Sequence, residues 1–270
     1  MSETAEAIRL VVSDVDGTLV DKQKQLTPAT IRAVHDLRDK GVGFTIISAR
    51  PRSGMMPIAQ ALEIDAPMGA FNGGTIFHRD GSVVRQDFVP RPVVEGMFAL
   101  ADGVDADIWV FADDIWYAST ATGAHVGSER IASDQDPVIT TDFTALYDRI
   151  DKITFVSDAP QVLIDLRANA KAYESQATIM QSQTYYLDVT ASAGNKGDGI
   201  TLLADAMNTP LSATCAIGDQ ANDVPMFARA AVSIAMGQGP EEVRAKADHV
   251  TGGNDADGVA QAIAEIILKR

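Results

Sequence analysis

Two aspartates placed just after an apolar run are the feature that most constrains how this chain folds. Residues 8–12 are mainly apolar, and soon after them come Asp14, Val15, Asp16, Gly17 and Thr18. In an open parallel sheet, ligands bind at the loops that follow the carboxyl ends of the strands. Gly17 permits a sharp turn at this position. One carboxylate can then attack a substrate while the other transfers protons.

Three more polar motifs lie far from the first one in the sequence. They read Ser48-Ala49-Arg50, Lys196-Gly197, and Gly218-Asp219 followed by Asn222-Asp223. The strand-like runs 42–47 and 213–217 should deliver two of them to the same sheet edge as the aspartates. An isolated Asp-x-Asp-Gly-Thr stretch could be an ordinary turn. The presence of all four motifs favours one shared catalytic site.

Predicted strands and helices alternate on both sides of a long insertion, which indicates an α/β fold with a Rossmann-like, doubly wound parallel sheet core. A Thr-Pro pair opens the first helix in the favoured way. The predicted strands of the core cover 8–12, 42–47, 68–71, 213–217 and 231–235. The predicted helices cover 28–41, 57–62, 197–207, 224–230, 240–246 and 258–268.

The insertion has an α/β pattern of its own and is predicted to form an inserted α/β cap domain. Its predicted strands cover 82–89, 107–111, 116–119, 153–156, 178–181 and 185–189, and its helices 93–101 and 161–172. The predicted division of the chain is therefore a core made of residues 1–81 and 191–270 and a cap made of residues 82–190. All four motifs lie in the core.

In these motifs and their spacing, the chain resembles the haloacid dehalogenase-like superfamily, and in particular its Cof-type branch, subfamily IIB, with a C2-type cap. The resemblance implies a phosphatase that uses Mg²⁺ and an aspartyl-phosphate intermediate. By this resemblance, Asp14 is the nucleophile, and Asp16 protonates the leaving oxygen and later deprotonates water. Lys196 neutralises the charge of the phosphate. A Lys at a helix start could also be simply solvated.

The resemblance also implies which residues bind the metal ion. Asp14 contributes its carboxylate, Asp16 its backbone carbonyl and Asp219 its carboxylate, and such oxygen ligands suit Mg²⁺. Whether Asp223 is a direct ligand or only orients the cluster stays open. The loop that contains Asp219 and Asp223 could instead be an ordinary helix cap.

Backbone and side-chain donors are expected to bind the phosphate group. Val15 and Ala49 offer backbone N–H groups, and Ala49 stands where the resembled branch usually has Gly. Ser48 offers a hydroxyl, although it could instead cap a helix. Asn222 is expected to contact the phosphate, and Asn72 to face the substrate or the nucleophile. Arg50 could bind substrate or form a surface ion pair.

Composition excludes several other classes of protein. Of the 270 residues, 46% are hydrophobic and 22% are charged, which is ordinary for a globular protein. The net charge of −15 and the lack of a basic patch argue against a nucleic-acid partner. The acidic start does not resemble a signal peptide, and no segment reads as a membrane span. The single cysteine, Cys215, fits a reducing cytoplasm.

The sequence therefore predicts a cytoplasmic, Mg²⁺-dependent phosphatase of small phosphorylated metabolites, with sugar phosphates as the expected substrates. One alternative is a phosphosugar mutase of the same superfamily. Another is a non-catalytic sensor that binds phosphorylated metabolites without turnover, although such a protein would need neither a nucleophile nor an acid. The physiological substrate, the cap residues that select it and the oligomeric state stay open.

Overall fold

The computed structural model describes residues 7–269. The acidic start of the chain, on which the prediction about a signal peptide rests, lies almost entirely outside this range. The first part of the core contains β1 (Leu10–Ser13), α1 (Pro28–Asp39), β2 (Gly43–Ile46), α2 (Arg52–Ala61), β3 (Met68–Ala70), β4 (Thr75–Phe77) and β5 (Val83–Gln86).

The central segment contains α3 (Arg91–Ala101), β6 (Asp107–Ala112), β7 (Ile115–Ala118), α4 (Val126–Ser133), β8 (Val138–Ile139), β9 (Ile150–Val156), α5 (Pro160–Asn169), β10 (Ala177–Gln183) and β11 (Tyr186–Ala191). The last part contains α6 (Lys196–Ala206), β12 (Thr214–Gly218), α7 (Val224–Phe227), β13 (Val232–Ala235), α8 (Glu241–Arg244), β14 (His249–Val250) and α9 (Gly258–Ala262), which continues as a π-helical turn, Ile263–Ile267.

A five-stranded parallel sheet forms the centre of the core, in the order β14-β13-β12-β1-β2. Every residue of β1 is buried, and successive side chains point to opposite faces. Val11 packs with α1 and α9 on one face, whereas Leu10 and Val12 pack with α6, α7 and α8 on the other. Helices therefore cover both faces of the sheet, which confirms the doubly wound α/β prediction.

Local sequence signals explain where the first helix begins and ends. Thr27 caps α1, since its hydroxyl accepts a hydrogen bond from the N–H of Thr30, and Pro28 occupies the first turn. Gly41, with a φ of 76°, follows the end of the helix. The prediction for α2 is wrong at its start, because α2 begins at Arg52 and contains Pro57 in its interior.

A small antiparallel sheet of β3, β4 and β5 adjoins the parallel sheet through one bridge between Ile47 and Gly69. The run 68–71 was expected to belong to the parallel sheet, but its β-structure ends at Ala70 and pairs with β4, which was not predicted. Because β5 pairs with β4, the segment after residue 82 begins within this small sheet. The division at residues 82 and 190 stays a prediction.

The central segment builds a separate six-stranded sheet in the order β10-β11-β9-β6-β7-β8. Side chains alternate across β9, so Ile153 and Phe155 pack against α3 and α5, whereas Lys152 and Thr154 lie on the opposite face. That opposite face also carries Trp109 and Phe111, which pack in the same hydrophobic cluster as Phe71 of the core. Below, this central segment is called the cap.

Three polar contacts join the cap to the start of α2. The N–H of Ser53 donates to Asp114 Oδ1 (3.2 Å), and its hydroxyl donates to the carbonyl of Ser133 at the end of α4 (2.7 Å). Gln135 donates to the Ser53 hydroxyl. The carboxylate of Asp114 thereby satisfies an N–H that would otherwise be unpaired at a helix start. None of the helices within residues 7–269 combines the length and hydropathy needed to cross a bilayer.

Candidate active site

Three carboxylates meet at the carboxyl edge of the parallel sheet. Oxygen atoms of Asp14, which follows β1, and of Asp219 and Asp223, which follow β12, lie within 4.8 Å of one another, and all three residues are buried. Gly17 allows this approach, because a Cβ on Gly17 would lie 2.4 Å from Asp219 Oδ2. The φ of Gly17 is 81°, so the turn also favours glycine. The structure thus brings together the first and fourth motifs as expected.

Lys196 is the cation of this cluster and is not solvated. Its side chain is fully buried at the start of α6, and Nζ donates to Asp14 Oδ1 and, at 2.6 Å, to Asp223 Oδ1. Burial alone would lower the pKa of Lys196, but the two carboxylates outweigh it and raise that pKa. The ammonium group therefore stays charged against Asp14.

Asp223 uses both of its oxygen atoms within the protein. Oδ1 accepts from Lys196, and Oδ2 accepts from the N–H groups of Asp219 at 2.7 Å and Gln220 at 2.9 Å. These bonds fix the loop that holds Asp219. The loop also acts as the helix cap that the sequence allowed as an alternative, since Gln220 and Asp223 form a capping box. The orienting role is the one for which the structure supplies contacts.

The cluster has an excess of negative charge. Burial raises the pKa of Asp14 to about 8 against the lowering effect of Lys196, with Asp223 and Asp219 raising it further. Burial, together with Asp223, raises the pKa of Asp219 to about 6. A bound divalent cation would offset this repulsion and favour the ionised carboxylates. The donor set, made of carboxylate oxygens, fits a hard cation such as Mg²⁺.

Asp16 points away from the cluster and toward the cap. Arg50 holds its carboxylate through two bonds of 2.7 Å, from Nε and Nη2, and Lys24 Nζ lies 2.5 Å from Oδ1. Burial would raise the pKa of Asp16, but the two cations outweigh it and keep that pKa well below its usual range. Arg50 is itself buried, so its ion pair is internal and not on the surface.

The second motif forms a tight turn beside Asp14. The Ser48 hydroxyl accepts from the N–H of Arg50 at 3.2 Å and caps no helix, because α2 begins after Pro51. Ala49 lacks a positive φ, so its side chain causes no strain there. Val15 is fully buried, as expected for a residue that offers only its backbone.

Asn72 and Asn222 meet on the other side of the cluster. Asn222 Nδ2 donates to Asn72 Oδ1 at 3.4 Å, and the N–H of Asn72 donates to the carbonyl of Ser48 at 2.7 Å. The turn that holds Asn72 also packs closely against α6. This packing needs a glycine at position 73, since a Cβ on Gly73 would lie 2.7 Å from Gly199 Cα in α6. Among the residues named from the sequence, those that line the cleft are Asp14, Asp16, Ser48, Ala49, Arg50, Asp219 and Asn222. Lys196, Asp223 and Asn72 are joined to them by hydrogen bonds, and the catalytic and binding roles of all these residues stay predictions.

The cap lies over this site, and a cleft remains between the cap and the core. Its wall contains Glu129 of α4, Lys152 of β9 and Asp188 of β11, together with Tyr185 and Tyr186. Lys152 Nζ donates to the carbonyl of Ala49 at 3.2 Å and lies 4.5 Å from the centre of the Phe111 ring. Thr154 donates to Asp188 Oδ1 at 2.6 Å. The cap thus touches the turn of the second motif directly.

Sequence reasoning missed Lys24 and the charged residues of the cap wall. Lys24 lies in the loop after the first motif, and nothing in the pattern of that loop distinguishes this lysine from a solvated one. Helix α4 was not predicted at all, because residues 126–133 mix Gly127 and two serines with few apolar residues. Lys152 offered the one usable signal, a charge within the apolar strand β9.

Known proteins include clear relatives of this chain. The family model for the haloacid dehalogenase-like hydrolases matches residues 11–263. The pyridoxal phosphate phosphatase of Escherichia coli is 26% identical to this chain, with 94% of the chain and 97% of the relative covered. A 5-amino-6-(5-phospho-D-ribitylamino)uracil phosphatase of Bacillus subtilis is 25% identical, covering 97% and 96%.

A solved structure shares the whole architecture. The crystal structure of a haloacid dehalogenase-like hydrolase from Bacteroides thetaiotaomicron superposes with a TM-score of 0.86, at 25% identity, over 96% of this chain and 99% of that one. This chain belongs to the haloacid dehalogenase-like hydrolases, as its four motifs indicated, and is a phosphatase of that family. The C2-type designation of the cap stays a prediction.

Proposed function

We propose that the chain is a Mg²⁺-dependent phosphatase of small phosphorylated metabolites that works through an aspartyl-phosphate on Asp14. The observation that carries this proposal is the position of Asp14. It lies buried at the end of β1, in contact with Lys196 and within the carboxylate cluster of Asp219 and Asp223. A turn or a binding module has no need of this arrangement.

Asp14 and Asp219 would hold the metal ion, together with the backbone carbonyl of Asp16. When bound, Mg²⁺ supplies positive charge against the phosphoryl oxygens. Lys196 adds a second positive charge from within the protein. The Ser48 hydroxyl and the N–H groups of Val15 and Ala49 would orient the phosphate for attack.

The reaction proceeds in two displacements. An oxygen of Asp14 attacks phosphorus, the bond from phosphorus to the leaving oxygen breaks, and the leaving oxygen takes a proton from Asp16. Water then attacks the phosphorus of the aspartyl-phosphate and gives a proton to Asp16. The bond from phosphorus to Asp14 breaks, which releases inorganic phosphate and restores Asp14.

Asp16 is held in the form that suits the second displacement. Its ion pairs with Arg50 and Lys24 favour the carboxylate, which accepts the proton of water. The first displacement needs the protonated form, so Arg50 and Lys24 must loosen their hold when a substrate is bound. The anionic phosphate is a competing partner for both cations.

Sugar phosphates are the substrate group that we propose. The cleft is lined by charged and hydroxyl side chains from both parts of the protein, which suits a leaving group with several hydroxyls. The relatives described above act on small phosphorylated compounds by their names. Cys215 is buried within β12, and a reduced thiol there fits the cytoplasm that we propose as the location.

A phosphate-release screen tests this proposal. Inorganic phosphate would be measured over a panel of phosphorylated sugars and other metabolites, with Mg²⁺ and with a chelator, for the wild type and Asp14→Asn. We expect Mg²⁺-dependent release by the wild type, and release reduced to background in the variant. Isomerised hexose phosphate without free phosphate would identify a mutase instead, and tight binding without turnover would identify a sensor.

A further inference from the structure

Glu129 lies in the cap wall. Of the charged side chains that line the cleft within the described residues, it is the one that has neither a hydrogen-bond partner nor an ion-pair partner. It belongs to α4, is only 8% exposed, and lines the same cleft as Asp16. No group in residues 7–269 donates a hydrogen bond to its side chain. Its carboxylate oxygens are not among the fully buried atoms without a partner and therefore open to the cleft, where a donor on a bound molecule can reach them.

The charged neighbours of Glu129 are already engaged elsewhere. Lys152 donates to the carbonyl of Ala49, and Asp188 accepts from Thr154. Arg50 is bound to Asp16 through two bonds. Burial raises the pKa of Glu129 to about 7, while Lys152 lowers it and Asp188 and Asp16 raise it. The charged neighbours of Glu129 therefore make their hydrogen bonds to other groups, and none donates to its carboxylate.

The position of Glu129 shows which part of a substrate it meets. In the proposed reaction the phosphate lies at Asp14, where Lys196 and the bound metal ion would offset its charge. Glu129 has no such cation bound to it and would repel the phosphate. Asp16 points from that site toward the cap and would protonate the leaving oxygen, so the leaving group extends from there into the cap wall. Glu129 lines this same cleft on the cap side.

We propose that Glu129 selects the leaving group by accepting a hydrogen bond from a hydroxyl or ammonium group of the substrate. This proposal rests on the phosphatase function proposed above. It also predicts that a leaving group ending in a carboxylate is rejected, because like charges would meet in a poorly solvated site. Hydroxyl and ammonium groups share the donor chemistry, and the test distinguishes them.

A matched series of substrates makes this proposal testable. Linear alkyl phosphates of increasing length would carry a terminal methyl, hydroxyl, ammonium or carboxylate group, with p-nitrophenyl phosphate as the reference for chemistry alone. The value of kcat/KM would be measured with Mg²⁺ for the wild type, Glu129→Gln and the control Glu174→Gln. Glu174 is an exposed glutamate of the cap that does not line this cleft.

At the length that reaches the cap wall, we expect the wild type to prefer a donor over methyl and methyl over carboxylate. Glu129→Gln should reduce the ratio of kcat/KM for the ammonium substrate to that for the carboxylate substrate about tenfold or more. This is the effect expected from the loss of one charged hydrogen bond. The control should keep the wild-type ratio. The better of the hydroxyl and ammonium substrates identifies the source of the donor.

The failure of this proposal can be told from that of the phosphatase proposal. If the wild type cleaves p-nitrophenyl phosphate but ranks the four terminal groups alike, or if Glu129→Gln keeps the wild-type ranking, then Glu129 does not select the leaving group. If the wild type cleaves no phosphoester with Mg²⁺, the phosphatase proposal itself fails. Thermal unfolding of each variant shows that the compared proteins are folded.

Discussion

At the scale of single residues, the site is organised by unequal treatment of its carboxylates. Asp14 is held by one buried lysine, whereas Asp16, two residues later, is held by the two cations Arg50 and Lys24. The first environment raises the pKa of its carboxyl and the second lowers it. Environments that separate two carboxyl pKa values in this way are typical of sites where the two groups have different tasks.

Replacing Lys196 tests its part in charge stabilisation. Lys196→Met keeps much of the side-chain volume but removes the ammonium group that contacts Asp14 and Asp223. We expect kcat/KM to fall by roughly two to three orders of magnitude, as for the loss of one oriented donor. We also expect a lower melting temperature, since two buried carboxylates lose their partner. A variant with normal kcat/KM would contradict the role of Lys196.

Glu129 gives stability a pH dependence whose sign follows from its environment. Its pKa is about 7 in the folded protein and about 4.5 in the unfolded chain. Well below pH 4.5 the group is neutral in both states, and as pH rises from there to 7 ionisation increasingly favours the unfolded state. Above pH 7, the ionised carboxylate lowers the free energy of unfolding by the full amount, about 3 kcal/mol.

Glu129→Gln should therefore stabilise the free protein at a pH well above 7 and have little effect near 4.5. Urea unfolding at several pH values measures this difference, with Glu174→Gln as the exposed control. Equal stabilisation at both ends of the range would mean that the carboxyl group is not desolvated as described.

At the scale of elements, α2 of the core packs closely against α4 of the cap, and we expect this contact to hold the cap over the site. Gly54 of α2 faces the carbonyl of Ala132 in α4, and a Cβ on Gly54 would lie 2.0 Å from that oxygen. The bonds from Ser53 to Asp114 and Ser133 lie beside it. A glycine is thus needed for the two helices to pack this closely.

Gly54→Ala separates packing from helix propensity. An alanine inside a helix usually adds up to about 1 kcal/mol, but here overpacking should cost roughly 1–3 kcal/mol. We expect lower stability and a higher KM for metabolite substrates, because the cap cannot close fully. Gly127→Ala in α4 is the control, since nothing lies within 4 Å of its added Cβ. If both variants behave alike, this contact does not hold the cap closed.

The sequence predicted the elements that have strong local signals and missed those that depend on distant contacts. The prediction of a helix after Thr27 was correct, because the residues that begin and end this helix are neighbours in the sequence. The strand β4 was missed because three residues show no period. Helix α2 starts earlier than predicted, since Pro57 is tolerated inside it. The four motifs were recognisable because each has a fixed local order.

The charges of the cap wall could not be predicted in the same way. Glu129, Lys152 and Asp188 come from three elements that are distant in sequence, and only the folded cap sheet brings them to one face. The same holds for Arg50, whose partner Asp16 lies in another loop. The motifs of the core were therefore recognisable in the sequence, whereas the contacts of the cap wall were not.

At the scale of the whole molecule, two sheets enclose a cleft in which the core supplies the reactive groups and the cap supplies the opposing wall. The hydrophobic cluster around Phe71 and Phe111 continues from one part into the other. The cluster of Asp14, Asp219, Asp223 and Lys196 carries more negative than positive charge. Binding of a divalent cation should therefore stabilise the whole fold.

Thermal unfolding with and without Mg²⁺ measures this coupling. At about 100 times its dissociation constant, a ligand of the folded state adds about 2.7 kcal/mol, which should raise Tm by several degrees. Asp219→Asn should lose this response, and without Mg²⁺ it should be at least as stable as the wild type because one repelling charge is removed. Asp205→Asn, an exposed control, should respond normally. A full Mg²⁺ response in Asp219→Asn would contradict the proposed ligand set.

The formation of an aspartyl-phosphate on Asp14 is the most direct test of the account as a whole. A reaction with Mg²⁺ and substrate would be quenched in acid during turnover and treated with borohydride, which reduces an acyl phosphate to an alcohol and converts the aspartate into homoserine. Peptide mass spectrometry then locates the modified residue. We predict homoserine at position 14 in the wild type and none in Asp14→Asn. Steady release of phosphate with an unmodified Asp14, or modification of another carboxylate, would contradict the account.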